Sequence, residues 1–129
     1  MMPVLDNLSA LYDSDNQSHL HLSSVEGALM AQFQYLCPKH LECITESACQ
    51  AYNWWLKTYD QAQIALASWD FNRARVFAGT AFEIAIVRVQ VASNRHCLSQ
   101  YAERLADSAR SLTNIYCHLG LLDEAERCL

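Results

Sequence analysis

The chain has 129 residues, of which 52% are hydrophobic, and it contains only 3 glycines and 2 prolines. This length predicts a single domain, and the scarcity of turn-forming residues excludes most all-β folds. The formal net charge is −5, and the 9 lysines and arginines are scattered along the chain. Nucleic-acid binding normally needs clustered positive charge, so we expect no nucleic-acid partner.

Membrane and secretion signals are missing from the sequence as well. No apolar run approaches the roughly 20 residues of a membrane-spanning helix, and the amino terminus does not read as a signal peptide. These features predict a cytoplasmic protein with no membrane partner. The 6 cysteines are then expected to be reduced, most of them serving as small core residues.

Residues 1–22 predict a short helix followed by a mobile polar segment. Apolar residues recur over residues 4–12, whereas residues 13–18 are all polar. We therefore separate this part from a single α-helical domain over residues 23–129.

The domain opens with a capping signature. Ser23 and Glu26 have the spacing of a capping box, which predicts a helix start. The helix is expected to end before Pro38, because a residue that precedes proline avoids the α-helical region.

Residues 39–69 carry the most regular pattern and predict one long helix. Apolar and small side chains alternate in steps of three and four, which places them on one face. Trp54 lies beside this stripe. The members of the stripe are Leu41, Ile44, Ala48, Ala51, Trp55, Thr58, Ala62, Ala65 and Trp69.

The next helix is predicted over residues 71–93, with Asp70 as its N-cap. Apolar residues cover most of its circumference, so it should pack on two sides. Residues 86–91 alternate like a strand, but no turn signal separates them from the preceding alanines, so we predict helix. Glu83 and Arg88 could be buried partners of a ligand, but we expect them to face solvent on a narrow polar edge.

Two further helices complete the predicted chain. Residues 98–119 repeat the three-four pattern, with Gly120 as a C-terminal cap. Residues 122–129 form a final helix of two turns, which would be marginal alone. Little of the chain is left to cover its apolar residues, which are Leu122, Ala125 and Leu129.

Residues 68–75 and 116–127 resemble each other. In each, a helix ends, a short turn follows, and a second helix opens near an alanine, Ala74 or Ala125. Both segments resemble the hairpin of the tetratricopeptide repeat (TPR) family. The resemblance implies an all-α, TPR-like fold of long antiparallel helical hairpins with a short N-terminal helix, and a role in binding other proteins.

The chain also departs from the family pattern. Ala74 and Ala125 are farther apart than the family's period of about 34 residues, and the predicted helices are longer. We therefore predict TPR-like hairpins and no stacked array. A generic antiparallel bundle with similar turns is the alternative.

One cluster of residue types suggests metal or redox chemistry. Cys37, His40 and Cys43 could meet a soft metal, with His19 or His21 as a further ligand. Their spacing is unusual for zinc, and side chains at these steps diverge around a helix, so we predict no metal site. Phosphate loops and hydrolase motifs are also missing from the sequence, so we predict no enzyme and no cofactor.

These observations favour a non-enzymatic protein–protein interaction module of adaptor, chaperone-like or regulatory type. Aromatic side chains are expected to anchor a partner of unknown identity in a groove or seam. The candidates are Trp54, Trp55, Tyr59 and Trp69. For Trp55 and Trp69, core packing is the competing interpretation.

The alternative function is self-assembly into a homodimer. A second copy would then cover the apolar face of the last helix, through Leu122, Ala125 and Leu129. A metal- or redox-responsive regulator built on Cys37, His40 and Cys43 is the third hypothesis.

Overall fold

The computed structural model describes residues 33–128, most of which are helical. A non-helical segment over residues 33–37 leads into five helices. They are α1 (Pro38–Glu46), α2 (Ala48–Ala67), α3 (Phe71–Gln90), α4 (Arg95–His118) and α5 (Leu122–Arg127). No strand occurs within residues 33–128, so the all-α prediction is confirmed for this part of the chain. No helix among these five is long and apolar enough to cross a membrane.

The stripe predicted over residues 39–69 is divided between α1 and α2 at Ser47. The Ser47 backbone is extended (φ −123°, ψ 107°), and its hydroxyl accepts a hydrogen bond from the amide of Gln50. Serine favours such N-caps because its oxygen replaces a missing backbone partner. The prediction of one continuous helix is therefore wrong, and Ala48 of the stripe is exposed.

The helix predicted before Pro38 does not extend to it. Residues 33–37 are non-helical, and Pro38 instead opens α1, where its missing N–H needs no partner. Cys37 caps this helix, since its sulfur accepts a hydrogen bond of 3.3 Å from the amide of His40. The predicted elements before residue 33, including residues 1–22, lie outside the described residues.

The predicted helix over residues 71–93 is confirmed as α3, although it ends at Gln90 and residues 91–93 are not helical. Asp70 is its N-cap, with a side-chain oxygen 3.2 Å from the amide nitrogen of Arg73. The helix continues to Gln90 through the β-branched residues that alternate like a strand. At the end of the next connection, Asn94 caps α4 in the same way.

The turns that follow α2 and α4 share one backbone geometry. Both helices end in a Schellman motif, in which the amides of Asp70 and Leu121 donate to carbonyl oxygens five residues earlier, at 2.9 and 2.8 Å. Trp69 and Gly120 occupy the left-handed position of the two turns, with φ 61° and 77°. The predicted role of Gly120 as a helix terminator is confirmed.

Helix α3 lies between its neighbours and packs against α1, α2 and α4. The core has two clusters, and α3 contributes alanines to both. The cluster nearer α1 contains Leu36, Leu41, Ile44, Ala51, Trp55, Ala81, Ile84, Ala85, Val87 and Tyr101. The cluster nearer the two turns contains Ala62, Ala65, Ala74, Ala78, Leu112, Ile115, Tyr116 and Ala125.

Candidate functional site

The four aromatic candidates do not form one surface. Trp55 is a core residue: its side chain is 6% exposed, and its indole N–H donates to the hydroxyl oxygen of Ser108 at 2.8 Å. Tyr59 is half-buried and stacks on Trp55, with ring centroids 4.9 Å apart. Trp54 is also half-buried and meets the ring of His40 edge-on at 4.5 Å. These three side chains cover or fill the cluster nearer α1.

Trp69 differs from the other three because its side chain is 75% exposed. Its ring and that of Phe71 form a T-shaped pair with centroids 5.8 Å apart, and Phe71 stacks on His118 at 4.5 Å. Helix α2 ends before Trp69, so this residue leaves the buried stripe. We call Trp69, Phe71 and His118 the turn surface, since they lie where the two turns meet.

The left-handed backbone at Trp69 is unfavourable for any residue with a β-carbon. For L-residues this conformation costs roughly 1–2 kcal/mol, and glycine is the usual occupant. Gly120 is that usual occupant at the equivalent position of the second turn. Trp69 therefore combines a strained backbone with an exposed indole.

The three residues proposed for self-association have different environments. Leu122 is 61% exposed, in keeping with the expected lack of cover. Ala125 is only 5% exposed and belongs to the cluster nearer the turns, so the expected lack of cover is wrong for this residue. Leu129 lies outside the described residues.

The prediction that Glu83 faces solvent is wrong. Its side chain is 4% exposed, and its carboxylate accepts hydrogen bonds from the amides of Gln34, Tyr35 and Leu36 at 2.7, 2.9 and 2.8 Å. Burial raises the pKa of Glu83, and the three amide bonds act in the opposite direction. One carboxylate thus holds three consecutive amides, and we call residues 34–36 the docked segment.

The ring of Tyr35 lies against the backbone of α3 at Gly79. A β-carbon at Gly79 would lie 2.2 Å from a ring atom of Tyr35, so glycine is required for this contact. The hydroxyls of Tyr35 and Tyr116 share a hydrogen bond of 2.8 Å, and the Arg75 guanidinium donates to the Tyr35 hydroxyl at 3.1 Å. Burial raises the pKa of Tyr116, so its hydroxyl keeps its proton.

These contacts define a second candidate site. We call Arg75, Gly79, Glu83 and Tyr116 the α3 groove. An open cleft of about 420 Å³ adjoins it between α3, α4 and α5. Apolar side chains and the Glu124–Arg127 ion pair both line the cleft.

Sequence reasoning missed the α3 groove, although a weak signal exists. Gly79 precedes Glu83 by four residues, which places them on one face of a mostly apolar helix. A glycine within a helix leaves room for another chain segment to approach closely. Which segment approaches is not encoded locally, because Tyr35 lies far away in sequence.

Arg88 has a structural role at the end of α1. Its guanidinium donates to the carbonyl oxygens of Ile44 and Thr45 at 3.0 and 3.2 Å. These carbonyls lie in the last turn of α1, where intrahelical partners are missing. Arg88 is half-buried, so its predicted solvent-facing position is only partly correct.

The structure joins two members of the predicted thiol–imidazole cluster. The sulfur of Cys37 lies 2.9 Å from Nδ1 of His40, and burial lowers the pKa of His40. Cys43 does not complete a ligand set, because no three metal-binding side chains meet within residues 33–128. His19 and His21 lie outside the described residues.

Comparison of the chain with protein families, curated proteins and solved structures finds no match. The proposed function therefore rests on the turn surface.

Proposed function

We propose that this protein is a non-enzymatic interaction module, of adaptor, chaperone-like or regulatory type, that binds a protein partner at the turn surface. The observation that carries the proposal is the exposed indole of Trp69 in a left-handed backbone. Glycine at this position would lower the conformational cost and remove an exposed apolar side chain. Contact with a partner would account for a residue that stability alone disfavours.

The chemistry of the turn surface suits a partner contact. Tryptophan is enriched among residues that dominate binding energy, because it combines a large apolar area with a hydrogen-bond donor. Leu121 and Leu122 in the second turn are 39% and 61% exposed, and they follow His118 closely in sequence. We infer that the partner places an apolar residue against Trp69 and Phe71.

We also infer that consecutive helices form antiparallel hairpins similar to those of the TPR family. Three residues separate α2 from α3, and three separate α4 from α5. The two turns have the same pattern of backbone hydrogen bonds. The stacking of Phe71 on His118 supports a location of both turns at the same end of the bundle. This arrangement would present both turns to one partner.

A pull-down experiment with matched variants tests the proposal. The tagged protein is compared with Trp69→Gly in a native lysate, and bound proteins are quantified by mass spectrometry. We expect Trp69→Gly to reduce recovery of a stoichiometric partner at least about tenfold, which corresponds to about 1.4 kcal/mol. The same substitution relieves backbone strain, so the loss would not result from unfolding.

Leu98→Ala provides the control. Leu98 is 42% exposed near the start of α4, away from the turn surface. We expect this variant to retain the partner. Undiminished binding by Trp69→Gly would contradict the proposal.

Self-assembly is the second candidate function, and the exposure of Leu122 favours it. A two-fold contact through the second turn would bury this side chain. Sedimentation velocity over a dilution series would show a dimer that weakens in Leu122→Asp but not in Leu98→Asp. A monomer at every concentration would exclude this alternative.

A further inference from the structure

We propose that the partner segment bound at the turn surface is basic and amphipathic, a step that rests on the proposed function. Lysine or arginine side chains of this segment would flank the apolar residue that packs against Trp69 and Phe71. The side chains that surround the turn surface specify this chemistry.

Exposed apolar side chains form the centre of the contact region. Trp69, Leu121 and Leu122 are 75%, 39% and 61% exposed. The stacking of Phe71 on His118 joins the two turns to which these side chains belong. Burial of large apolar side chains is a main source of binding free energy, so the partner must present apolar residues here.

Three exposed carboxylates border these apolar side chains. Asp70 directly follows Trp69, and Asp123 directly follows Leu122. Asp123 and Glu126 line an open cleft of about 460 Å³ at α5. None of the three carboxylates forms an ion pair within the described part of the chain.

The arginines of the two turns already have partners. The Arg73 guanidinium lies over the ring of Phe77, 5.7 Å from its centroid. Arg127 is paired with Glu124 at 2.9 Å, and Arg75 belongs to the α3 groove. The uncompensated side-chain charge beside the turn surface is therefore negative.

The backbone charges of the helix ends do not reverse this sign. Helices α2 and α4 end at the two turns, whereas α3 and α5 begin there. The partial negative charge of a helix C-terminus therefore lies close to the partial positive charge of the next N-terminus in each turn. These charges offset one another, so the carboxylates determine the local potential.

A cationic side chain suits both parts of this region. Lysine and arginine lay their aliphatic stems on apolar surface and keep their charge at its edge. Nucleic acid and acidic membranes would be repelled by the carboxylates. A second copy of the chain would place Asp123 and Glu126 near like charges, which disfavours it as the occupant.

Two model peptides serve as probes of the partner chemistry. Both carry leucines on one face of a helix, and the remaining positions are lysine in one peptide and glutamate in the other. The anisotropy of a dye on each peptide measures its binding to the full chain. We expect the lysine peptide to bind at least about tenfold more tightly than the glutamate peptide.

The variant Asp70→Asn/Asp123→Asn tests the role of the carboxylates. It removes two charges and keeps the N-cap of α3, because asparagine caps helices as well as aspartate does. Exposed charge pairs contribute about threefold each to affinity, so the lysine peptide should bind this variant about tenfold more weakly. Trp69→Gly should weaken binding to at least the same extent, since it removes the apolar anchor.

Glu46→Gln/Glu103→Gln is the matched control. It also removes two exposed negative charges, but these lie on α1 and α4, away from the turn surface. We expect the control to bind the lysine peptide as the unchanged protein does. A loss as large as that of Asp70→Asn/Asp123→Asn would overturn the inference, because the attraction would then reflect net charge alone.

The outcomes separate this inference from the proposed function. Failure of the lysine peptide to bind, or equal binding of the two peptides, would overturn the basic partner. Weakening by Trp69→Gly without weakening by Asp70→Asn/Asp123→Asn would also overturn it, and the proposed function would stand. The pull-down with Trp69→Gly tests the proposed function on its own, so the two failures are distinguishable.

Discussion

The turn after α2 and the turn after α4 have the same backbone geometry, but the residues at their left-handed positions differ greatly in size. Each ends its helix with the same hydrogen bonds, yet the left-handed position is Trp69 in one and Gly120 in the other. The following helix is capped by the side chain of Asp70 in the first turn, whereas Leu121 provides no side-chain cap. The backbone hydrogen bonds thus define both turns, and the turns differ in the residue at the left-handed position.

The helices that follow the turns explain how the first tolerates its tryptophan. Helix α3 has 20 residues and is packed against three neighbours, so its burial stabilises the turn that precedes it. Helix α5 has only 6 residues and buries a single residue, Ala125. The second turn has less packing to offset strain, which agrees with the glycine at its left-handed position.

Replacing the equivalent alanines, Ala74 and Ala125, by leucine should give the largest difference in stability between the two turns. Ala74 is fully buried in the cluster nearer the two turns, so we expect Ala74→Leu to lower the free energy of unfolding by about 3 kcal/mol. Ala125→Leu should cost about 1 kcal/mol, because the short α5 can shift to accommodate it. Urea denaturation measures both; equal losses would show that α5 is packed as rigidly as α3.

Exchanging the residues at the left-handed position should have the next largest effect. We expect Gly120→Trp to destabilise the protein by about 1.5 kcal/mol, since the indole brings backbone strain without the packing of α3. The reverse change, Trp69→Gly, should raise stability by about 0.5 kcal/mol after loss of the Phe71 contact. A destabilised Trp69→Gly in thermal denaturation would mean that the indole supports the fold.

The side-chain cap of α3 should contribute about 1 kcal/mol to the free energy of unfolding, a contribution that α5 lacks. Asp70→Ala removes the only side-chain cap of α3 and should cost about that amount. Leu121→Asp should supply the cap that α5 lacks and gain about 0.5 kcal/mol. Amide hydrogen exchange in α5 provides the readout for the second variant, and unchanged exchange there would argue against a capping defect.

The smallest contrast concerns surface charge. In α5, Glu124 and Arg127 form an ion pair at 2.9 Å on the surface. The equivalent residues in α3 are Arg73 and Val76, which cannot form such a pair. We expect Arg127→Ala to cost about 0.3 kcal/mol in low salt and nothing measurable in high salt. A loss that persists in high salt would indicate that the Arg127 stem, rather than its charge, packs against the cleft.

Sequence patterns predict those parts of the fold that depend on residues close together in the chain. The course of α3, the Asp70 cap and the helix end at Gly120 follow from periodicity, capping and left-handed preference. The apolar stripe does not predict the break at Ser47, where the serine hydroxyl caps a new helix within a continuous pattern. The stripe also placed Trp55 and Trp69 on one face, although α2 ends before Trp69 and leaves it exposed.

The α3 groove could not be predicted from the sequence. The sequence favours a solvent-facing Glu83 because charged side chains are usually exposed, whereas hydrogen bonds from three distant amides make its burial tolerable. Pairing of Tyr35 with Gly79 depends on the path of a non-helical segment, which has no periodic pattern. Interactions between remote segments are set by packing, and a single sequence does not report them.

The unequal burial of the three tryptophans gives the chain an internal optical probe. Trp55 is buried, Trp54 is half-buried, and Trp69 is in water. Water relaxes around an excited indole and shifts its emission to longer wavelengths, so the red edge of the fluorescence spectrum belongs mainly to Trp69. Iodide should quench that edge first, and a partner that covers the turn surface should remove it without any label.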